Sequence, residues 1–269
     1  MKRRAAREGA RAPINRANKK REMQKLLLAA SVSAAALAIF HKKLVWAYRR
    51  RTSQVKLTYF NIAGLGEPIR YLLSQANVPF DDHRFGSRDE FLAMKPSLRF
   101  GQVPCLTIDG EEFFQSASIF RLLAKFFGAT SLYPSDPRAA AIVDAFVDQV
   151  KDMDTGKLVA SYKRRFGFPE EVLNDSNAEK VFECWRGETL PRHLSFFEAA
   201  LKDSPTAWLT GSADPTIADI FLATTLNGYT TKWPQVEALY SAKLKALIAA
   251  VYALPAIVEF RQKEKLAAK

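Results

Sequence analysis

Few side chains in this 269-residue chain could do metal or nucleophilic chemistry, and their spacing removes most options. The three histidines, His41, His83 and His193, never fall four apart, which excludes a helix-borne zinc pair. Two cysteines, Cys105 and Cys184, exclude a disulfide-stapled scaffold and a four-cysteine zinc site, and read as buried or idle thiols. Asp154-Thr155-Gly156 mimics an aspartic-protease triplet without the required mate. Gly64-x-Gly66 lies between a strand and a helix, as a dinucleotide fingerprint does, but Ile69 occupies the third glycine position and Pro68 opens the helix. What remains is a tyrosine, Tyr59, late in a strand beside that glycine turn, a Val103-Pro104 pair before another strand, and Gln115-Ser116 at a helix start. Free N–H groups and the positive end of the dipole attract a carboxylate at such a start. Taken singly, each has a plainer reading: a strand residue, a strand-initiating proline and a helix cap.

The elements that must hold these residues follow from periodicity. Val55 to Phe60 alternates and is β-branched and aromatic, a strand. Asn61 to Gly66 is a turn, and Glu67-Pro68 opens an amphipathic helix with Ile69, Leu72, Leu73 and Ala76 on one face. Val78 to Phe85 reads as a second strand and Phe91 to Pro96 as a short irregular or helical piece. Val103 to Ile108 and Glu111 to Phe114 form a hairpin about Asp109-Gly110, and a helix runs from Gln115-Ser116 to Phe127. This order predicts a small mixed sheet with helices packed on it. After a linker with two prolines, Leu132 to Pro137, the pattern is helical throughout. Helices are expected over Ala139 to Lys151 and on towards Arg165, Ala178 to Leu201, Thr216 onwards, Val236 to Tyr252 and Pro255 to Lys265. Thr216 and Asp219 read as an N-cap and its capping-box partner, a structural pair.

The charge is unevenly divided. Residues 1–54 hold fifteen of the 40 Lys and Arg against two of the 28 acids, leaving 25 bases and 26 acids for the rest. The body is therefore close to neutral, and the basic total is no argument for nucleic-acid binding. Residues 1–25 carry ten bases and few apolar residues, a composition that should be disordered alone. Leu26 to Phe40 has thirteen apolar residues of fifteen, His41-Lys42-Lys43 interrupts it, and Leu44 to Tyr48 resumes it before Arg49-Arg50-Arg51. Fifteen helical residues cover about 22 Å, short of the roughly 30 Å hydrocarbon core. The span 26–48 is long enough if Lys42 and Lys43 snorkel and Trp46 with Tyr48 sits in the interfacial belt. Four readings stay open: a membrane anchor or surface-lying segment, a cleaved organelle presequence, a secretory signal peptide, and a solvated extension.

The stretch KLTYFNIAGLGEPIRYLLSQANVPFDDHRF, followed by FGQVPCLTIDGEEFFQSASIFRLLAKFFG, resembles the thioredoxin-like domain of cytosolic glutathione transferases. It is most similar to the sigma class, which includes the glutathione-dependent prostaglandin D synthases, and the likeness covers about residues 55–265. The resemblance implies an α/β thioredoxin-like domain over 55–131, then an all-helical domain over 137–269, behind a leader at 1–54. It implies an enzyme that takes glutathione as co-substrate and a small apolar electrophile as the second, acts as a homodimer in a reducing compartment, and uses no metal. Tyr59 would donate a hydrogen bond to the thiolate. Gly101, Gln102, Val103 and Pro104 would form the loop that pairs with the tripeptide, with a cis peptide at Val103–Pro104. Gln115 and Ser116 would take the γ-glutamyl carboxylate, Phe91 and Lys95 the glycine end, and Asp148 would reach the glutathione of the partner subunit. Asp144 reads as solvated, and Phe60, Met153, Leu158 and the C-terminal aromatics as the electrophile pocket. Two departures bear on the chemistry. Phe91 stands where an indole donor is usual, and Ala63 and Leu65 stand where the family carries arginines, so no cation from that turn faces the sulfur. A non-catalytic carrier of glutathione or hydrophobic ligands is the alternative, and membrane contact through 26–48 or delivery to an organelle is expected of the leader.

Overall fold

The computed structural model describes residues 16–129 and 131–267. The elements are α1 (Arg16–Thr52), β1 (Val55–Phe60), α2 (Gly66–Gln75), β2 (Asp81–Phe85), α3 (Arg88–Met94), β3 (Cys105–Ile108), β4 (Glu111–Phe114) and α4 (Ser116–Phe126). They continue with α5 (Pro137–Ser161), α6 (Asp175–Cys184), α7 (Leu190–Asp203), α8 (Ile217–Lys232), α9 (Ala242–Tyr252) and α10 (Pro255–Ala267). Contacts divide the chain into one unit ending at Val45 and a second running from Trp46 to the C-terminus.

In the second unit the sheet order is β2-β1-β3-β4, with β1 and β2 parallel and the other pairs antiparallel. The parallel pair needs a crossover, and α2 supplies it. Ile69, Leu72 and Leu73 of α2 and Ile119, Phe120 and Leu123 of α4 are buried with Leu57 and Leu106 of the sheet. The same core continues into the helical part, where Phe120 meets Phe221 of α8 with ring centroids 5.0 Å apart. A thioredoxin-like sheet domain followed by an all-helical domain is thus the architecture, as the motif order implies.

Several element edges differ from the periodic reading, each for a hydrogen-bonding reason. The second strand starts at Asp81 rather than Val78, because the Val78 N–H closes α2 on Leu73 O and Pro79 has no N–H to give. Pro104 likewise holds the start of β3 back to Cys105. The helix expected from Ala178 to Leu201 is interrupted by a π-type turn, Trp185–Thr189, just before Pro191. A 3₁₀ turn, Pro234–Leu239, precedes α9, which starts where the Ser241 hydroxyl accepts from Leu244 N–H. The Thr216/Asp219 pair is structural as expected. Asp219 is fully buried and its carboxylate accepts from Thr216 N–H, the Thr216 hydroxyl and Leu209 N–H at 2.7–2.8 Å.

The leader departs further from expectation. Residues 16–25, expected to lack order, form the first turns of α1. Residues 1–15 and the side chains of 26–35 lie outside the described residues, so most of the apolar stretch does as well. Among the described residues no helix is long and apolar enough to cross a membrane. Trp46, expected in an interfacial belt, instead lies against Gly128, which has φ +68° and no side chain to obstruct the indole. Arg49 donates to Phe126 O at 3.3 Å and covers the Phe126 ring at 4.3 Å, a cation on the C-terminal carbonyls of α4.

Candidate active site

Tyr59 is the last residue but one of β1, an inner strand, and its ring is nearly buried, with 7% of its surface exposed. Its hydroxyl oxygen accepts from the Leu65 N–H at 2.9 Å, in the turn that follows the strand. The turn wraps the ring so closely that only glycine fits at two places. A Cβ on Gly64 (φ +41°) would fall 2.6 Å from the hydroxyl oxygen, and one on Gly66 would fall 2.5 Å from Tyr59 Cδ1. The two glycines therefore seat a phenol and not a dinucleotide. Burial pushes the Tyr59 pKa up, opposed by the Leu65 N–H and by the charge of Arg70. A phenol with a raised pKa keeps its proton at neutral pH. With the oxygen's acceptor side taken by Leu65, that proton is free to donate.

Arg70 is the residue that sequence reasoning missed. It is 1% exposed, and its guanidinium Nε bonds Asp82 Oδ2 at 2.8 Å. Nη1 donates to Ile62 O at 3.0 Å and Nη2 to Phe60 O at 3.4 Å. It braces the turn from behind, 3.0 Å from where a Gly66 Cβ would stand. The site thus has a cation near Tyr59, from α2 rather than from positions 63 and 65. Asp82 also pairs with Arg84, which pairs in turn with Glu264 of α10. A basic residue within the apolar face of α2, with an acid twelve residues on, was the available signal.

The Val103–Pro104 peptide is cis. Gly101, at φ +58°, lies beside Lys95, whose Cε would be 3.4 Å from a Cβ there. The next residue, Gln102, has its Oε1 held by Arg165 Nη2 at 2.9 Å. Gln115 precedes α4 at φ 67° with no side-chain cap bond, and Ser116 opens the helix, 8% exposed. Both stand at the positive end of α4, as a carboxylate site requires. Phe91 packs in an aromatic cluster with Phe60 and Phe85, at centroid distances of 4.9 and 5.6 Å, so it serves the fold of this edge.

The remaining candidates divide. Asp148 is 61% exposed with Arg121 Nη2 at 3.6 Å, which leaves its carboxylate facing outward. Asp144, expected to be solvated, is instead tied down by Arg121 Nε at 2.6 Å and by the Tyr133 hydroxyl at 2.9 Å. Met153, expected to line a pocket, is fully buried in the helical core, where its carbonyl accepts from the Trp185 indole at 2.7 Å. Asp154 accepts from the buried Tyr229 hydroxyl and pairs with Lys157, a structural role. Cys105 is buried and its thiol is pushed up to about 11 by burial, which keeps it a protonated, inert group. Cys184 is exposed, with Glu188 within 4.0 Å. Among the described residues no group of three or more His, Cys, Asp or Glu is placed to hold a metal.

Comparison with known proteins bears on the family and the fold. Residues 55–125 match the family model described as glutathione S-transferase, N-terminal domain, and residues 172–264 the one described as glutathione S-transferase, C-terminal domain. Glutathione S-transferase 1 of Ascaris suum is 35% identical over 204 residues, 76% of this chain and 93% of that protein. The hematopoietic prostaglandin D synthase of Gallus gallus is 33% identical over 77% of this chain and 95% of its own length. Among solved structures, prostaglandin synthase D of Nilaparvata lugens superposes with a TM-score of 0.66 at 31% identity, covering 78% of this chain and 98% of the other. With both family models matched in order and a relative 35% identical over 76% of this chain, the chain belongs to the glutathione S-transferase family.

Proposed function

We propose that the chain is a glutathione transferase of sigma-like character that activates the glutathione thiol through Tyr59 for attack on a small apolar electrophile. The observation that carries this is the Tyr59 hydroxyl, whose oxygen accepts from Leu65 N–H while its proton stays free to donate. A free thiol has a pKa of about 8.5, so only a few per cent is ionised at pH 7. A donor on the sulfur favours the anion and lowers that value. The raised phenol pKa keeps the donor in place, and Arg70 behind the turn adds positive charge. Gly101, Gln102, Val103 and Pro104 line one flank of the tripeptide, Gln115 and Ser116 its acidic head, and Lys95 with Phe91 its far end. Bound in this way, the thiolate is oriented towards an electrophile, and orientation supplies much of the acceleration.

Homodimerisation and a role for Asp148 on the partner's glutathione belong to the same proposal, supported by the outward exposure of that carboxylate. The basic leader supports a placement at a membrane surface or in an organelle. Flotation of the full chain with anionic vesicles tests the membrane placement, and a chain that does not float removes it.

The test is retention on immobilised glutathione, followed by turnover of an aromatic halide by wild type and Tyr59→Phe. Retention with turnover that depends on Tyr59 supports the transferase. Retention with equal, negligible turnover in both proteins supports a carrier, the reading favoured by the absence of an arginine at Ala63 and Leu65 and of an indole at Phe91.

A further inference from the structure

We propose that Arg165 is a positioning residue of the glutathione cleft. Its guanidinium holds the Gln102 side-chain carbonyl, so that the Gln102 amide presents only N–H donors to the bound tripeptide. This rests on the glutathione-binding reading above.

Arg165 belongs to a 3₁₀ turn, Lys163–Phe166, that follows α5, and its Nη2 donates to Gln102 Oε1 at 2.9 Å across 63 residues of sequence. A carboxamide carries one acceptor oxygen and two N–H donors, and a free glutamine can turn either end to a ligand. A guanidinium offers donors alone. An amide turned the other way would set its N–H groups against those of Arg165, so the arginine selects one orientation. Glutathione carries one ammonium and two amide N–H groups as well as two carboxylates and two amide carbonyls, and it is the carboxylates and carbonyls that a donor-only amide serves.

Arg70 is not placed to do this. The three nitrogens of Arg70 are occupied by Asp82, Ile62 O and Phe60 O behind the tyrosine turn. The turn after Tyr59 contains only Ala63 and Leu65 where a cation could stand. Lys95 lies beside Gly101, the residue before Gln102, while Arg165 comes to Gln102 from the turn after α5. The turn after α5 therefore reaches the 101–104 loop through Arg165. Being a contact to the peptide rather than the sulfur, the pair should govern affinity and leave the chemical step alone.

The experiment is steady-state kinetics and calorimetric binding on the full chain for wild type, Arg165→Ala, Gln102→Ala and the double variant. Loss of one oriented hydrogen bond raises KM and Kd for glutathione by about 3–10-fold in Arg165→Ala, with kcat at saturating glutathione within about twofold of wild type. S-methylglutathione, which has no ionisable thiol, weakens by the same factor. The double variant is no worse than Gln102→Ala, because the arginine acts through that amide. Arg165→Lys, which keeps a charged donor, recovers part of the affinity, and Arg165→Gln serves as a second neutral variant with the same expectation as alanine. Unchanged KM and Kd in the neutral variants overturn the inference while wild-type retention on glutathione leaves the function intact. Full additivity with Gln102→Ala, or kcat and melting temperature falling together, also overturns it by making Arg165 a brace of the fold. A wild-type chain that fails to bind glutathione takes both readings down together.

Discussion

At Tyr59 the proposed chemistry rests on two hydrogen-bonding faces of one oxygen. The Leu65 N–H takes the acceptor face, burial keeps the proton on, and the proton is left for a sulfur anion. A hydrogen bond to a charged group contributes about 1.5–3 kcal/mol, so Tyr59→Phe should lower turnover near pH 6.5 by about 10–100-fold. The sign with pH follows. Removing the donor raises the pKa of the bound thiol, so the activity profile moves to higher pH and the gap to wild type narrows in alkali. An ultraviolet titration of bound glutathione near 240 nm measures the shift; an identical thiol pKa in both proteins would remove Tyr59 from the mechanism. Gly66→Ala tests the seat of the ring. Its Cβ would stand 2.5 Å from Tyr59 Cδ1, and displacing a packed ring costs about 1–3 kcal/mol of stability as well as turnover. Urea denaturation and kinetics on the same preparation read both.

At the scale of elements, buried polar groups tie one segment to the next. Asp219 holds the entry to α8 by accepting from Thr216 and Leu209, and burial pushes its pKa up against those hydrogen bonds. Asp219→Ala strands buried N–H groups and should cost about 3 kcal/mol or more, read as a lowered urea midpoint, with kcat per folded molecule unchanged. His193 in α7 gives a pH signature. Burial lowers its pKa below 6.5, helped by Arg192, so the folded state favours the neutral ring. Its contribution is complete above the unfolded-state pKa and is lost as pH falls through the folded value. Wild-type stability should therefore fall as pH drops below about 6.5, with a shallower slope in His193→Gln. Equal slopes in chemical denaturation at pH 7 and pH 5 would exclude His193 as the source.

For the molecule as a whole, the leader does not end where its charge ends. The second compact unit starts at Trp46, and the indole closes over Gly128 while Arg49 donates to the last carbonyl of α4, Phe126 O. Trp46→Ala should lower stability by about 1–3 kcal/mol in thermal or urea unfolding while glutathione retention persists.

What the amino-acid sequence by itself determined is what short-range rules encode. The alternation of β1, the amphipathic face of α2, the hairpin at Asp109-Gly110 and the Thr216/Asp219 box all lie within windows of about ten residues, where backbone geometry and hydrogen bonding are local. Tyr59, Val103-Pro104 and Gln115-Ser116 were legible as an ordered set through family resemblance, since each alone has a plainer reading. The tertiary structure decided the partners that come from elsewhere in the chain: Asp82 and the carbonyls for Arg70, Arg121 for Asp144, Arg165 for Gln102, Gly128 for Trp46. It also withdrew Met153 from the pocket and broke the helix at Trp185–Thr189. A side chain's periodicity reports which face it occupies, whereas the charge or cavity it meets there depends on segments tens of residues away, and only packing brings those together.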